Sequence, residues 1–249
     1  MLNGQYIDEV IYTGAVDKGS YLYELPAVKH LREHGKLSFR KSVTFFVGEN
    51  GTGKSTLTEA IAVAFGFNAE GGTKNFTFST RSSHSELYKY LTLSKSGFAR
   101  DGFFLRAESF YNVASNIEQL DEIEALSPRI MESYGGISLH EQSHGESFMA
   151  LVENRFSGHG LYILDEPEAA LSPMRLMTLM VKIDELVKKG SQFIIATHSP
   201  MLLAFPDAEV MELSAEGIKS VDYKQTEHYR VAKSFLDNPE KMIKYLLED

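Results

Sequence analysis

The chain has 249 residues, 34 acidic against 25 basic, for a formal charge of −9, and 43% of its residues are apolar. That length is ample for a hydrophobic core without metal or disulfide staples, and the lack of any cysteine excludes a disulfide scaffold. The apolar run from Ala60 to Phe65, continuing past Gly66 to Phe67, falls far short of the roughly 18 residues that a membrane span needs. No basic-then-apolar leader precedes Asp8 and Glu9, so a cytoplasmic protein without membrane insertion is expected.

The charge is unevenly spread. Residues 111 to 168 carry 11 acids and 2 bases, which matches the whole excess, whereas 24 to 41 and 68 to 110 are mildly basic. A solvated acidic helix accounts for the first region. The basic stretches are where any contact to DNA would have to lie.

Val43 to Val47 is a short apolar, β-branched and aromatic run closed by Gly48, which predicts a buried strand. Ser55 to Phe65 predicts a helix with Leu57, Ile61 and Ala64 on one stripe. Gly71 and Gly72 open a Ser-, Thr- and Lys-rich region, to about Gly97, that reads as hairpins or loops, and Phe103 to Leu105 is another short strand. Val113, Ile117, Leu120, Ile123 and Leu126 are spaced for a helix over 112–131. A second helix is predicted from about Glu146 to Phe156. Leu161 to Leu164 predicts a strand, Met174 to Lys189 a helix capped by Ser172 and Pro173, and Phe193 to Ala196 a strand. Strands alternating with helices imply a mainly parallel sheet covered on both faces.

The chemistry falls at the ends of the predicted strands. Gly48 to Ser55 fits the phosphate-binding loop G-x-x-x-x-G-K-[ST], between a strand and a helix. Glycines Gly48, Gly51 and Gly53 let backbone N–H groups curl round phosphates, the helix N-terminus faces the anion, Lys54 reaches the β and γ oxygens, and Ser55 offers a hydroxyl to magnesium. After the next motif strand, Asp165 is placed to hold Mg2+ and Glu166 to orient or deprotonate an attacking water. His198 follows the strand Phe193 to Ala196, where a side chain can touch the γ-phosphate across the sheet edge. The other seven histidines get no such support from their context.

Taken together, G-E-N-G-T-G-K-S-T from Gly48, S-H-G-E-S at Ser143 to Ser147, Y-I-L-D-E-P-E, A-A-L-S at Ala169 to Ser172 and A-T-H-S-P resemble an ATP-binding-cassette type ATPase. More narrowly, the set is similar to small bacterial ATPases of the AAA/ABC-like group, related to the heads of chromosome-maintenance and recombination ATPases. The resemblance implies an α/β P-loop fold of the ABC-ATPase type, with a mainly parallel sheet flanked by helices and an antiparallel β or loop portion. It implies one domain over 1–249, in which an inserted 68–140 region carries the lid and the signature-side helices. ATP and Mg2+ are the implied ligands, with Glu49, Asn50, Gly51, Thr52, Gly53, Lys54, Ser55 and Thr56 around the phosphates. Asn50 would also hold the attacking water or the γ-phosphate. In such proteins the signature loop meets the nucleotide of a second subunit, which assigns Ser143 and Gly145 to the partner's ATP in a head-to-tail homodimer. His144 departs from the pattern by standing where the motif has its first glycine. The lid position, normally a glutamine, falls near Arg106 to Ser109, and Glu108 is the candidate there, as a further metal-side carboxylate.

The function expected is Mg-ATP hydrolysis with ATP-driven dimerisation, coupled to DNA repair or defence through a DNA or protein partner. The competing readings are the ATP-hydrolysing subunit of a membrane transporter and a slow nucleotide-dependent regulator. No long heptad segment lies between Phe67 and Gln142 to form the coiled-coil arms of chromosome-maintenance proteins.

Overall fold

The computed structural model describes residues 5–74, 84–107, 110–121, 136, 138 and 140–247. Its centre is a sheet whose three adjacent middle strands, Val43–Gly48, Gly160–Asp165 and Gln192–Ala196, are buried along their whole length, because successive residues feed opposite faces and both faces are covered. In β3 of this sheet (Val43–Gly48), Val43, Phe45 and Val47 enter one core and Phe46 the other. The same alternation separates Phe103 and Leu105 from Phe104, Tyr162 and Leu164 from Leu161 and Ile163, and Phe193 and Ile195 from Ile194. A continuous apolar run, rather than an alternating one, is therefore what these strands require.

The elements run β1 (Glu9–Tyr12), α1 (Pro26–His34), β2 (Lys36–Ser38), β3, α2 (Lys54–Phe65), β4 (Leu91–Ser94), β5 (Asp101–Arg106), α3 (Phe110–Asp121) and α4 (His144–Arg155). They continue with β6 (Gly160–Asp165), α5 (Pro173–Lys188), β7 (Gln192–Ala196), α6 (Pro200–Leu203), β8 (Glu209–Ser214), β9 (Gly217–Val221), α7 (Glu227–Asp237) and α8 (Pro239–Leu247). The large sheet has the order β5-β6-β7-β3-β8-β9 and is parallel except for the edge strand β9. Helices α3, α4, α5 and α6 fill one face. The other holds α1, α2 and a small antiparallel sheet, β2-β1-β4.

Every strand and helix expected between residues 43 and 196 recurs, and apart from the far end of the acidic helix the ends are displaced by at most two residues. Helix α4 starts at His144, not Glu146, because Ser143 caps it. The acidic helix expected over 112–131 is helical from Phe110 to Asp121, and 122–131 lies outside the described residues. In the loop-rich region after Gly71, Gly72 bridges antiparallel to Phe104 and β4 pairs with β1. The antiparallel portion is thus completed by β1 and β2, upstream of the first predicted strand.

One side chain attaches the small sheet to the large one. The Gln192 amide, fully buried at the start of β7, accepts from the N–H groups of Tyr6 (2.7 Å) and Ile7 (2.9 Å) and donates to the Ile7 carbonyl at 2.9 Å. It thereby satisfies backbone groups that no strand partner reaches. At the other end of the chain, α7 and α8 bury no residue completely and leave Leu236 and Leu246 exposed.

Candidate functional site

Four neighbouring strands, β5, β6, β7 and β3, run parallel and end on one edge of the sheet, and each delivers a polar group there. Loops at the carboxyl ends of parallel strands are where such sheets bind ligands.

After β3 the chain turns into α2 through Gly48, Gly51 and Gly53, with φ of 148°, 83° and 94°. A Cβ on Gly48 would lie 2.2 Å from the Leu213 carbonyl oxygen of β8, and one on Gly53 would lie 3.1 Å from the Ala27 methyl. Only glycine lets the loop curl this tightly. Lys54, 4% exposed, opens α2 and donates from Nζ to the carbonyls of Gly48 (2.7 Å) and Glu49 (3.0 Å). Burial pushes its ammonium pKa down, while Glu166, Asp165 and Glu168 pull it back up. The Thr52 hydroxyl donates to the Glu49 carbonyl at 2.8 Å and closes the loop.

After β6 come Asp165, 5% exposed, and Glu166, whose backbone is left-handed at φ 51° and whose N–H donates to the Ala196 carbonyl of β7. This turn swings the Glu166 side chain off the strand axis towards the loop after β7. There the Glu166 Oε1 lies 3.5 Å from His198 Nε2. Burial holds the His198 imidazole below its ordinary pKa and Lys54 adds to this, with Glu166 opposing. Two clefts share Glu166. One, of about 320 Å³, is lined by Ser55, Asp165, Glu166 and His144. The other, of about 520 Å³, is lined by Glu49, Asn50, Glu166, His198 and His228.

Most of the residues singled out in the sequence therefore come together around Lys54 and Glu166. Ser143 and Gly145 are placed differently. The Ser143 N–H and hydroxyl donate to the Glu146 carboxylate at 3.1 and 2.6 Å, and Arg175 of α5 binds the other Glu146 oxygen at 3.1 Å. Of the signature segment it is His144 that lines the cleft with Ser55. A Cβ on Gly145 would stand 2.5 Å from Arg175 Nη1 and 2.9 Å from the Ala170 carbonyl, which explains the glycine. Glu108 lies outside the described residues. What reaches Asp165 from the end of β5 is Arg106, with Nε 3.5 Å from Asp165 Oδ2 and Nη1 2.6 Å from the buried Glu59 of α2.

The sequence reading also missed Glu168 and His228. The Glu168 carboxylate accepts from the His198 N–H at 2.5 Å, so it ties the loop after β6 to the loop after β7, and burial raises its pKa. Glu168 stood inside the motif Y-I-L-D-E-P-E, a signal present but unused. His228, in α7, meets His198 at 2.8 Å, and nothing near it in sequence marks it.

Ser55 and Asp165 offer hard oxygens to one cleft, which fits magnesium. Among the described residues no group of three or more His, Cys, Asp or Glu is arranged to hold an ion by itself. Two protein oxygens, with phosphate and water completing the shell, is the arrangement that fits.

The mixed α/β fold, with its mainly parallel sheet flanked by helices, is that of P-loop NTPases of the ABC-ATPase type. Two family models adjoin along the chain, "AAA domain" over residues 27–143 and "AAA domain, putative AbiEii toxin, Type IV TA system" over 137–204. Both models describe AAA domains, and each matches less than half of the chain. It is similar to the "Retron Vc95 probable ATPase" of Vibrio cholerae serotype O1 biovar El Tor, 27% identical over 134 residues, which are 47% of this chain and 25% of that protein. The matched stretch is thus a quarter of the relative's length. Among solved structures, an ABC transporter assigned to the metal-chelate type, in an inward-facing conformation, matches with a TM-score of 0.50 at 13% identity over 92% of this chain and 88% of that one. The SMC head domain from Thermotoga maritima matches with a TM-score of 0.46 at 17% identity over 87% and 98%. No helix among the described residues is long and apolar enough to cross a membrane.

Proposed function

We propose that the chain binds Mg-ATP on the loop Gly48–Thr56 and hydrolyses it, acting as one cytoplasmic unit over 1–249. The observation that carries this reading is the convergence of Lys54, Ser55, Asp165, Glu166 and His198 at the ends of adjacent strands. Lys54 directs its charge at the β and γ phosphates, exchanging the carbonyls of Gly48 and Glu49 for phosphate oxygens. Ser55 and Asp165 hold Mg2+, which when bound neutralises charge on the phosphate oxygens. Asn50 orients a water and Glu166 takes its proton as the oxygen attacks the γ-phosphorus and the bond to the β-phosphate oxygen breaks. His198 donates to the γ-phosphate, favouring the transition state over bound ATP.

Two chains close head to tail when ATP is bound, each presenting Ser143 and Gly145 to the other's nucleotide. The toxin–antitoxin and retron names among the relatives favour defence over repair as the coupled process. The first test is equilibrium binding of labelled ATP together with phosphate release under multiple turnover. Lys54→Ala should weaken binding by at least about tenfold, and unchanged affinity overturns the phosphate-loop assignment. Sustained turnover separates a hydrolase from a slow nucleotide-dependent regulator.

A further inference from the structure

The imidazoles of His198 and His228 meet between Nδ1 of the first and Nε2 of the second at 2.8 Å, with ring centroids 4.9 Å apart. A neutral imidazole carries one N–H, so one hydrogen lies between these two nitrogens and its owner decides what the far side of His198 can do. That far side, Nε2, lies 3.5 Å from the Glu166 carboxylate and lines the same cleft as Glu49 and Asn50. If His198 supplied the shared hydrogen, a bare lone pair would face that carboxylate and any phosphate beside it. If His228 supplies it, His198 keeps its hydrogen on Nε2 and donates towards both.

We propose that His228 is a positioning residue for His198, donating from Nε2–H to His198 Nδ1 and so fixing the His198 tautomer that presents Nε2–H to the γ-phosphate side of Glu166. The inference rests on the reading of His198 as a γ-phosphate contact and assigns it a partner from outside the strand-end loops. The donor is held firmly. Thr226, fully buried, caps α7 by accepting from the Tyr229 N–H at 3.4 Å and anchors it by donating from Oγ1 to the Tyr223 carbonyl at 2.6 Å. His228 therefore sits in a first turn pinned from below. Burial lowers the pKa of both rings, and the charge of Lys54 lowers each further, which favours the neutral imidazoles that share one hydrogen across the 2.8 Å contact.

The test combines kinetics with imidazole nitrogen NMR on the whole chain labelled with 15N-histidine. His228→Asn keeps a polar side chain but does not reach His198, whereas His228→Gln places an amide N–H close to where Nε2 stood. Expected for His228→Asn is a fall in kcat of about tenfold or more, with the KM for Mg-ATP within about twofold. His228→Gln should recover most of that loss. The spectrum of the wild type should show His198 protonated at Nε2, and His228→Asn should move it to a mixture of tautomers, a change that loss of packing alone does not produce. Wild-type turnover in His228→Asn, alongside a slow His198→Ala, overturns the inference, as does a wild-type His198 protonated at Nδ1. Normal turnover in His198→Ala overturns the phosphate reading and the kinetic part of the inference, and the spectrum then decides the pairing by itself. Nucleotide affinity and the thermal midpoint of each variant report that it is folded.

Discussion

Glu166 stands in a left-handed backbone conformation that costs a non-glycine residue about 1 kcal/mol or more, and its N–H is bound to the neighbouring strand. A residue held against its preference by surrounding hydrogen bonds points to a constrained side chain, here one aimed at His198. Glu166→Gln keeps the shape and removes the proton acceptor, so ATP binding should persist while single-turnover hydrolysis falls by about 100-fold or more. A Gln variant that hydrolyses at the wild-type rate removes Glu166 from the role of base. Lys54, Asp165, Glu166 and His198 were legible in the sequence because each follows a short apolar strand, with its chemistry printed in a contiguous motif. Arg106, Glu168 and His228 were not, for three physical reasons. Arg106 ends a strand like the others, but it is a cation where the resembled proteins carry a glutamine, and its partners Glu59 and Asp165 lie far away in sequence. Glu168 acts on a backbone N–H rather than on a ligand. His228 comes from 30 residues downstream of its partner, on an amphipathic helix that no motif marks.

Between β3 and α2 the phosphate loop is shaped by packing as well as by its own turn. Gly48 pairs with Leu213 of β8 in parallel register, and the space a Cβ would need is occupied by the Leu213 carbonyl. Gly51, also at positive φ, has nothing within 4 Å of that position. The two glycines therefore separate conformational strain from collision. Gly51→Ala should cost about 1 kcal/mol for the left-handed backbone alone. Gly48→Ala should cost about 2–5 kcal/mol, because backbone cannot move aside as a side chain can. Urea midpoints of the two variants measure the difference, and equal costs would mean that β3 and β8 do not pair this closely. The parallel strands were legible because burial on both faces leaves an uninterrupted apolar run. The small sheet was not, since β1 and β2 are short, half exposed and held partly by the Gln192 side chain, to which no local pattern points. The terminal helices α7 and α8 follow the last strand, and no motif marks them.

At the scale of the whole molecule, the position of the signature segment sets the hardest test. In one chain Ser143 is engaged by Glu146, with Arg175 bracing the same carboxylate, so α4 begins with its capping groups already paired. A head-to-tail dimer has to present this edge to the partner's phosphates, where the Ser143 hydroxyl and the free N–H groups of the first helical turn can meet an anion. Each composite site then needs Lys54 from one chain and Ser143 from the other. Ser143→Arg should leave ATP binding by the single chain intact while blocking ATP-driven dimerisation and hydrolysis. Lys54→Ala chains should be inactive for the opposite reason. Mixed in equal amounts with free exchange, the two inactive variants form heterodimers that pair one intact Lys54 with one intact Ser143. Neither variant pairs with itself on ATP, so the dimers that form are mixed, each with one working site of two, and phosphate release should return to at most about half of the wild-type rate. Light scattering of ATP-bound Glu166→Gln protein reads dimer formation separately. An inactive mixture together with a monomeric ATP-bound form would end the head-to-tail model. His144, which already lines its own chain's cleft with Ser55 and Asp165, would then be the residue that turned the signature inward.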